Sequence, residues 1–222
     1  MTGAAFGTAS GTAFGTAHDG AFDGALAGLP GQLVDDRGAR RPLLVARWHG
    51  DPDRTDTTLL DRCSGPALDV GCGPGRLAAE LTARGLVTLG VDVSLLAVRL
   101  TRLRGAAALR RSIFDRVPGA GRWGDVLLAD GNIGIGGDPV RLLERCAGLL
   151  RAGGRIHAEL DPAASGVRRR FARVEHAGAR SRPFAWATVA PDAVPALAAE
   201  AELHVTATWR HDGRCFAELS KG

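Results

Sequence analysis

The chain reads as an α/β domain built on a mostly parallel sheet with helices on both faces. Three observations predict it. Short apolar runs of strand length alternate with amphipathic stretches of helical period between residues 67 and 202, the order that buries a parallel sheet between helix layers. The first of these runs, Ala67-Leu68-Asp69-Val70, feeds a turn with Gly71, Gly73 and Gly75 that opens a helix at Leu77, Ala78 and Leu81. The chain closes with two strand-like runs joined by His211-Asp212-Gly213, a tight turn that adds an antiparallel hairpin at one edge.

The elements follow in order. Ala5-Phe6-Gly7-Thr8-Ala9 recurs at 13–17 and, degraded, at 21–25. A period of eight fits neither a helical stripe nor a packing repeat, so residues 1–42 are expected to be a disordered, low-complexity extension and 43–222 the folded domain. Asp53 or Asp56 is placed to cap a short helix through Thr57–Arg62 that would lid a ligand site. Strand 67–71, helix 75–84, strand 87–91, helix 94–103 and strand 106–110 come next. Strand 124–129, helix 138–150, strand 154–160, helix 192–202 and strands 204–210 and 214–219 complete the series. Residues 162–190 exceed a plain strand-to-helix connection. Their β-compatible runs around Ala177-Gly178 predict an inserted hairpin at the ligand-binding edge of the sheet, with Phe171, Phe184 and Trp186 as candidate pocket walls.

Chemistry concentrates at the glycine turn. Glycine at these positions lets the backbone adopt positive φ and lets a ligand approach the main-chain N–H groups. The spacing is Asp69-x-Gly71-x-Gly73-x-Gly75 rather than the G-x-G-x-x-G of dinucleotide sites, and Asp69 would repel a pyrophosphate but suits a cation. Asp92 ends the next strand, 21 positions after Gly71, where an acidic side chain can accept hydrogen bonds from both hydroxyls of a ribose. The competing reading, in which Asp92 caps the following helix, is weakened because Ser94 is itself a good cap.

Asp69 to Gly75 and Asp92 resemble the first two motifs of the class I S-adenosylmethionine-dependent methyltransferases. The resemblance implies a Rossmann-like fold, a seven-stranded mostly parallel sheet with an antiparallel C-terminal edge strand, and S-adenosyl-L-methionine as cofactor. It implies cofactor contacts from Asp69, Gly71, Cys72, Gly73, Gly75, Asp92, Val93, Ser112, Ile113 and Asp130, within a core spanning 67–161. An acid often follows the third strand of this family to bind the adenine amino group. Here Leu109-Arg110-Arg111-Ser112-Ile113-Phe114-Asp115 has arginines at that place, leaving Ser112, a stacking Ile113 or Phe114, or Asp115 three positions late. The alternatives are an NAD(P)-dependent oxidoreductase and a cofactor-binding regulatory module that transfers nothing.

Trp123 to Asp130 matches the family's fourth strand, whose end faces the transferable methyl group. Gly131-Asn132-Ile133-Gly134 follows in place of the N/D-P-P-Y/F signature of enzymes that methylate nucleobases or glutamine. Asp130 and Asn132 are the candidate catalytic residues, to contact the cofactor or orient the acceptor; both residue types also stabilise turns. Arg155, His157, Glu159 and Asp161 alternate with apolar residues in the fifth strand, with Glu159 and Asp161 expected at the cleft and Arg155 and His157 in an internal network. His157 and His49 are weaker candidates for a general base.

Composition narrows the partners. The net charge is +4, but all but one of the 28 basic residues are arginine and the bias runs through the whole chain with 31 glycines. No basic stripe interleaved with aromatics accompanies it, so no nucleic-acid partner is expected. A small-molecule acceptor is expected instead; arginines 168, 169, 170, 173, 180 and 182 of the inserted hairpin are open to two readings, selection of an acidic acceptor or the arginine bias of the chain with solvation. No segment has the length and apolarity of a membrane span or a leader, which predicts a cytoplasmic protein without membrane partners. The four cysteines show no metal-ligand spacing with the histidines, so no metal is expected.

Overall fold

The computed structural model describes residues 20–222. In chain order it contains α1 (Asp23–Leu26), β1 (Gln32–Asp35), β2 (Arg40–Pro42), α2 (Val45–His49), α3 (Arg54–Leu60), β3 (Ala67–Val70), α4 (Arg76–Ala83), β4 (Thr88–Asp92), α5 (Leu95–Leu103) and β5 (Ala107–Arg110). Then follow β6 (Trp123–Leu128), α6 (Pro139–Leu149), β7 (Leu150–Leu160), β8 (Val167–His176), β9 (Ala179–Arg180), β10 (Phe184–Val189), α7 (Val194–Glu200), β11 (Leu203–His211) and β12 (Arg214–Lys221).

Seven strands form the main sheet in the order β11-β12-β7-β6-β3-β4-β5. The pairs among β7, β6, β3, β4 and β5 are parallel, and β12 is antiparallel to both β7 and β11. Every residue of β3 and β6 is buried, as a continuous apolar run in a central parallel strand requires. Helix α6 shows the complementary pattern, burying Pro139, Leu142, Leu143, Cys146 and Leu149 along one stripe and starting on the cap Asp138 with Pro139 at its first position. The chain leaves β3 for β4 and β5 on one side and returns to β6 and β7 on the other. The ends of β3 and β6 therefore flank the crevice where open α/β sheets bind ligands.

The inserted hairpin is present as β8 and β10, antiparallel from Val167↔Val189 to Ala172↔Phe184. It is part of a second sheet, ordered β10-β8-β1-β2 with β9 beside β8. Here the sequence expectation for the N-terminus is corrected. Residues 20–42 are built into the fold, because β1 pairs with β8 from Gln32↔Glu175 to Asp35↔Ala172 and Phe22 joins a cluster with Phe184 and Trp186. The apolar residues responsible, Ala21, Phe22, Ala25, Leu26, Leu33 and Val34, are dispersed among glycine and aspartate and have no period of their own. Their register comes from a strand more than 130 residues away. The remainder of the expected extension, 1–19, lies outside the described residues.

Candidate active site

The glycine turn is shaped by its own residue types. Gly71, Gly73 and Gly75 have φ of 68°, 52° and 84°. A Cβ on Gly71 would stand 2.8 Å from Asn132 Nδ2, and one on Gly75 2.7 Å from the Thr101 backbone. No side chain fits at either position without displacing its neighbour. Cys72 turns its thiol back toward Thr101 Oγ1 at 3.4 Å and against Gly90, so toward the crevice the residue offers its main chain.

Asp92 sits at the tip of β4 with Oδ2 accepting from Gly73 N at 3.0 Å and Oδ1 accepting from Ser94 N at 2.8 Å. Each oxygen keeps a lone pair for a further donor. The cap of α5 is Ser94, whose hydroxyl accepts from Ala97 N at 3.1 Å and donates to Asp23 Oδ1 at 2.6 Å. Burial raises the Asp92 carboxyl above its ordinary range, against the two backbone N–H groups that lower it. Asp69 is 2% exposed and its Oδ2 has no hydrogen-bond partner. Burial pushes its carboxyl up to about 7, with Arg76 pulling the other way. A buried carboxylate with an open lone pair beside a glycine cradle fits a ligand that brings cationic charge and donors.

A cavity of about 870 Å³ spans the ends of β3, β4, β6 and β7 and the facing side of the second sheet. Val93, Ser112, Ile113, Phe114 and Asp115 line it on the β4 and β5 side. The Ser112 hydroxyl accepts from Phe114 N at 3.3 Å, and one face of Phe114 is covered by the Arg141 guanidinium at 4.6 Å. Ile113 is 3% exposed and packs into the main core. At the opposite wall Phe22, Trp48, Phe184 and Trp186 meet with ring centroids 5.6 to 6.2 Å apart. Phe171, Phe184 and Trp186 line the cavity as the sequence suggested.

The six hairpin arginines proposed to favour an acidic acceptor do not line it. Arg173 and Arg180 pair with Glu175 at 2.8 and 3.3 Å, Arg170 lies 3.8 Å from Asp36 and Arg169 3.8 Å from Asp138. That expectation is withdrawn, because strand alternation and local carboxylates direct these side chains elsewhere.

The ends of β6 and β7 carry an ion network that sequence spacing did not reveal. Arg76, the first residue of α4, pairs with Asp56 and reaches Asp130 Oδ2 at 2.8 Å. Arg214 binds Glu159 with two contacts of 2.7 Å and Asp56 at 2.9 Å. Glu159 Oε2 also accepts from Asp130 N at 2.7 Å. Asp130 has φ of 52°, and burial raises its carboxyl, with Arg76 opposing. Asp56 is held by a reciprocal capping box with Asp53 at the start of α3. Asn132 Nδ2 donates to the carbonyls of Val70 and Gly71 at 2.8 and 3.0 Å. Both its donors thus hold the end of β3 to the turn after β6.

Glu159 and Asp161 line the cavity as expected, Asp161 paired with Arg41. His157 is fully buried behind the sheet, with Nε2 2.8 Å from Asp125 Oδ1 and Nδ1 3.7 Å from Glu218. It is an internal network residue and does not line the cavity. His49 approaches the Ala25 carbonyl at 3.2 Å and does not line the cavity. Cys63 joins Asp125 and His157 to make three metal-capable groups within 4.8 Å. Asp125 Oδ2 there is taken by Ser64 N and Gly65 N, and burial holds the Cys63 thiol strongly protonated.

Residues 68–158 match the family model described as methyltransferase domain. No protein of curated function matches the sequence. Among solved structures, a methyltransferase from Bacteroides fragilis in complex with S-adenosyl-L-homocysteine shares 20% identity, covers 93% of this chain and 96% of its own, and superposes with a TM-score of 0.75. An amino pentose methyltransferase from Micromonospora echinaspora with bound S-adenosylmethionine shares 17% identity over 80% of this chain and 94% of its own, TM-score 0.58. The 1,6-didemethyltoxoflavin-N1-methyltransferase of Burkholderia thailandensis shares 16% over 70% of each, TM-score 0.53. At these identities the likenesses speak for the fold. The fold is that of the class I S-adenosylmethionine-dependent methyltransferases, and the segment from residue 68 to 158 is similar to a methyltransferase domain.

Proposed function

We propose that this chain is an S-adenosylmethionine-dependent methyltransferase and that it acts on a small molecule held in the cavity between the main sheet and the second sheet. The observation that carries the reading is the wall opposite the glycine turn. It is built from the N-terminal segment and the β8–β10 hairpin, presents Phe22, Trp48, Phe184 and Trp186, and bounds a space of about 870 Å³. That volume lies toward the upper end of the roughly 300 to 1,000 Å³ of small-molecule sites, room for a nucleoside cofactor and an acceptor of modest size. Two structural relatives act on small molecules by their descriptions, 1,6-didemethyltoxoflavin and an amino pentose.

In this reading Asp92 takes the ribose hydroxyls, and Gly71, Gly73 and Gly75 with the main chain of Cys72 and Val93 form the cradle. Ser112 and Ile113 flank the adenine, and Asp69 faces the cationic part of the ligand. The cofactor supplies an electrophilic methyl group on sulfonium sulfur. The protein holds an acceptor in line with it and keeps water out, which is where most of the acceleration of a displacement arises. Asp130 is poised at the crevice to contact cofactor or acceptor. Asn132 is a positioning residue, acting through the carbonyls of Val70 and Gly71.

Incubation with methyl-labelled S-adenosylmethionine and a size-fractionated cell extract tests the acceptor class. Label is expected in the low-molecular-weight fraction. Recovery in RNA or protein, removed by nuclease or protease, would overturn the small-molecule reading and leave the methyltransferase assignment standing.

A further inference from the structure

The cavity wall formed by the second sheet and α2 is aromatic, and its rings are arranged differently from a pair elsewhere in the chain. Phe22, Trp48, Phe184 and Trp186 meet at interplanar angles of 49° to 76°, so none of these pairs is stacked flat. Trp209 and Phe216, which do not line the cavity, stack at 18°. Hydrogen bonding divides the four tryptophans in the same way. Trp123 Nε1 donates to the Pro118 carbonyl at 3.0 Å and Trp209 Nε1 to the Thr58 hydroxyl at 2.9 Å. Trp48 and Trp186 are partly buried and line the cavity, and neither Nε1 has an acceptor among the described residues. A buried indole usually finds a partner for that N–H.

The glycine run after β6 fixes where Trp186 stands. Ile135 forms a lone antiparallel bridge with Trp186. A Cβ on Gly134 would overlap the Ala187 carbonyl oxygen and stand 3.0 Å from Trp186 Nε1, and one on Gly137 would stand 2.8 Å from Ala185 Cβ. β10 therefore rests on this turn too closely for a side chain to intervene. Ile135 also reaches the first glycine of the cradle, where a Cβ on Gly71 would lie 3.1 Å from its Cδ1. One residue thus connects Trp186 to the glycine turn, and a molecule lying against the indole lies beside the cofactor cradle.

The charges near this wall already have counter-charges. Arg41 pairs with Asp161, and Arg47 lies 3.6 Å from Asp130. Leu33 and Leu43 add apolar surface. The wall offers a ligand ring faces, apolar side chains and two N–H donors. A flat conjugated ring system with a carbonyl oxygen or a ring nitrogen uses all three. A polyhydroxylated or charged molecule would lose hydration here without gaining partners.

We infer that the acceptor is a planar aromatic or heteroaromatic molecule bearing a carbonyl or ring-nitrogen hydrogen-bond acceptor, and that Trp186 is its specificity-determining contact. The inference rests on the reading that a small-molecule acceptor binds in this cavity beside the cofactor.

The test is calorimetric titration of the full chain, saturated with S-adenosylhomocysteine, with three probes. 4-Quinolone is a flat bicycle with a carbonyl, 1-decalone a saturated bicycle with the same group, and glucosamine polar and cationic. 4-Quinolone is expected to bind about tenfold or more tighter than either of the others. Trp186→Phe keeps a ring face and loses the N–H, and should cost 4-quinolone about three- to tenfold. Trp186→Ala should cost it about ten- to a hundredfold. Both variants should bind S-adenosylhomocysteine within about twofold of wild type, showing that they are folded. The wild-type comparison decides by itself: no binding of 4-quinolone, or equal or tighter binding of 1-decalone or glucosamine, would overturn the inference. Undiminished 4-quinolone binding by a folded Trp186→Ala would overturn it as well. Wild type that does not bind S-adenosylhomocysteine would instead remove the methyltransferase reading, and the acceptor site with it.

Discussion

At the scale of the residue, the site depends on carboxylates kept in unequal environments. Asp92 is fixed by two backbone donors and retains capacity for a ribose. Asp92→Ala is expected to weaken S-adenosylhomocysteine by about ten- to a hundredfold, from lost charged hydrogen bonds of roughly 1.5 to 3 kcal/mol. Calorimetry checks it, and unchanged affinity in a folded variant would reduce Asp92 to a brace for Gly73 and Ser94. Asp69 is the opposite case, a buried carboxyl raised to about 7 from an ordinary 3.8. Between those values the folded chain holds a proton the unfolded chain has released, so this group's contribution to stability falls as pH rises through that window. Asp69→Asn removes the titration, so its melting temperature relative to wild type should climb from pH 4 to pH 7 in the ligand-free protein. A difference that is flat with pH would show that Asp69 stays ionised in the fold.

At the scale of the element, the second sheet adds a facing wall to the crevice at the strand ends. β1 gives β8 a partner, and Phe22 seats on Phe184, Trp186 and Trp48. Removing 20–42 would expose the edge of β8 and one side of this aromatic cluster. Phe22→Ala is expected to cost about 2 to 3 kcal/mol, below the full penalty of a core phenylalanine because the ring is only half-buried. It should also make the tryptophans more accessible to a collisional quencher. Thermal melts and fluorescence quenching would measure both, and an unchanged melting temperature would return this segment to the status of a dispensable extension.

At the scale of the whole molecule, the main sheet was legible because its signals are local. A buried parallel strand is a short apolar run, the turn after β3 needs positive φ at three spaced positions, and the edge hairpin carries Asp212-Gly213. Boundaries shifted by a few residues, as with β7, which begins at Leu150 rather than 154, because its first residues extend pairing past a register shift beside Trp123. Asp69, the three glycines and Asp92 followed from the same local reading, since each sits at the end of a strand whose place in the alternation is marked. None of the other features had such a mark. The ion network draws Arg47, Asp56, Arg76, Glu159 and Arg214 from five separate elements, and the hairpin arginines had the composition of a charged pocket wall without lying on one. The sequence by itself determined the α/β order, the glycine turn and the acidic residue at the tip of β4, because period and φ are properties of neighbouring residues. Only tertiary structure decided that 20–42 roofs the cavity and that Arg47 faces Asp130, because strand register across 130 residues and charge pairing between distant elements are set by packing alone.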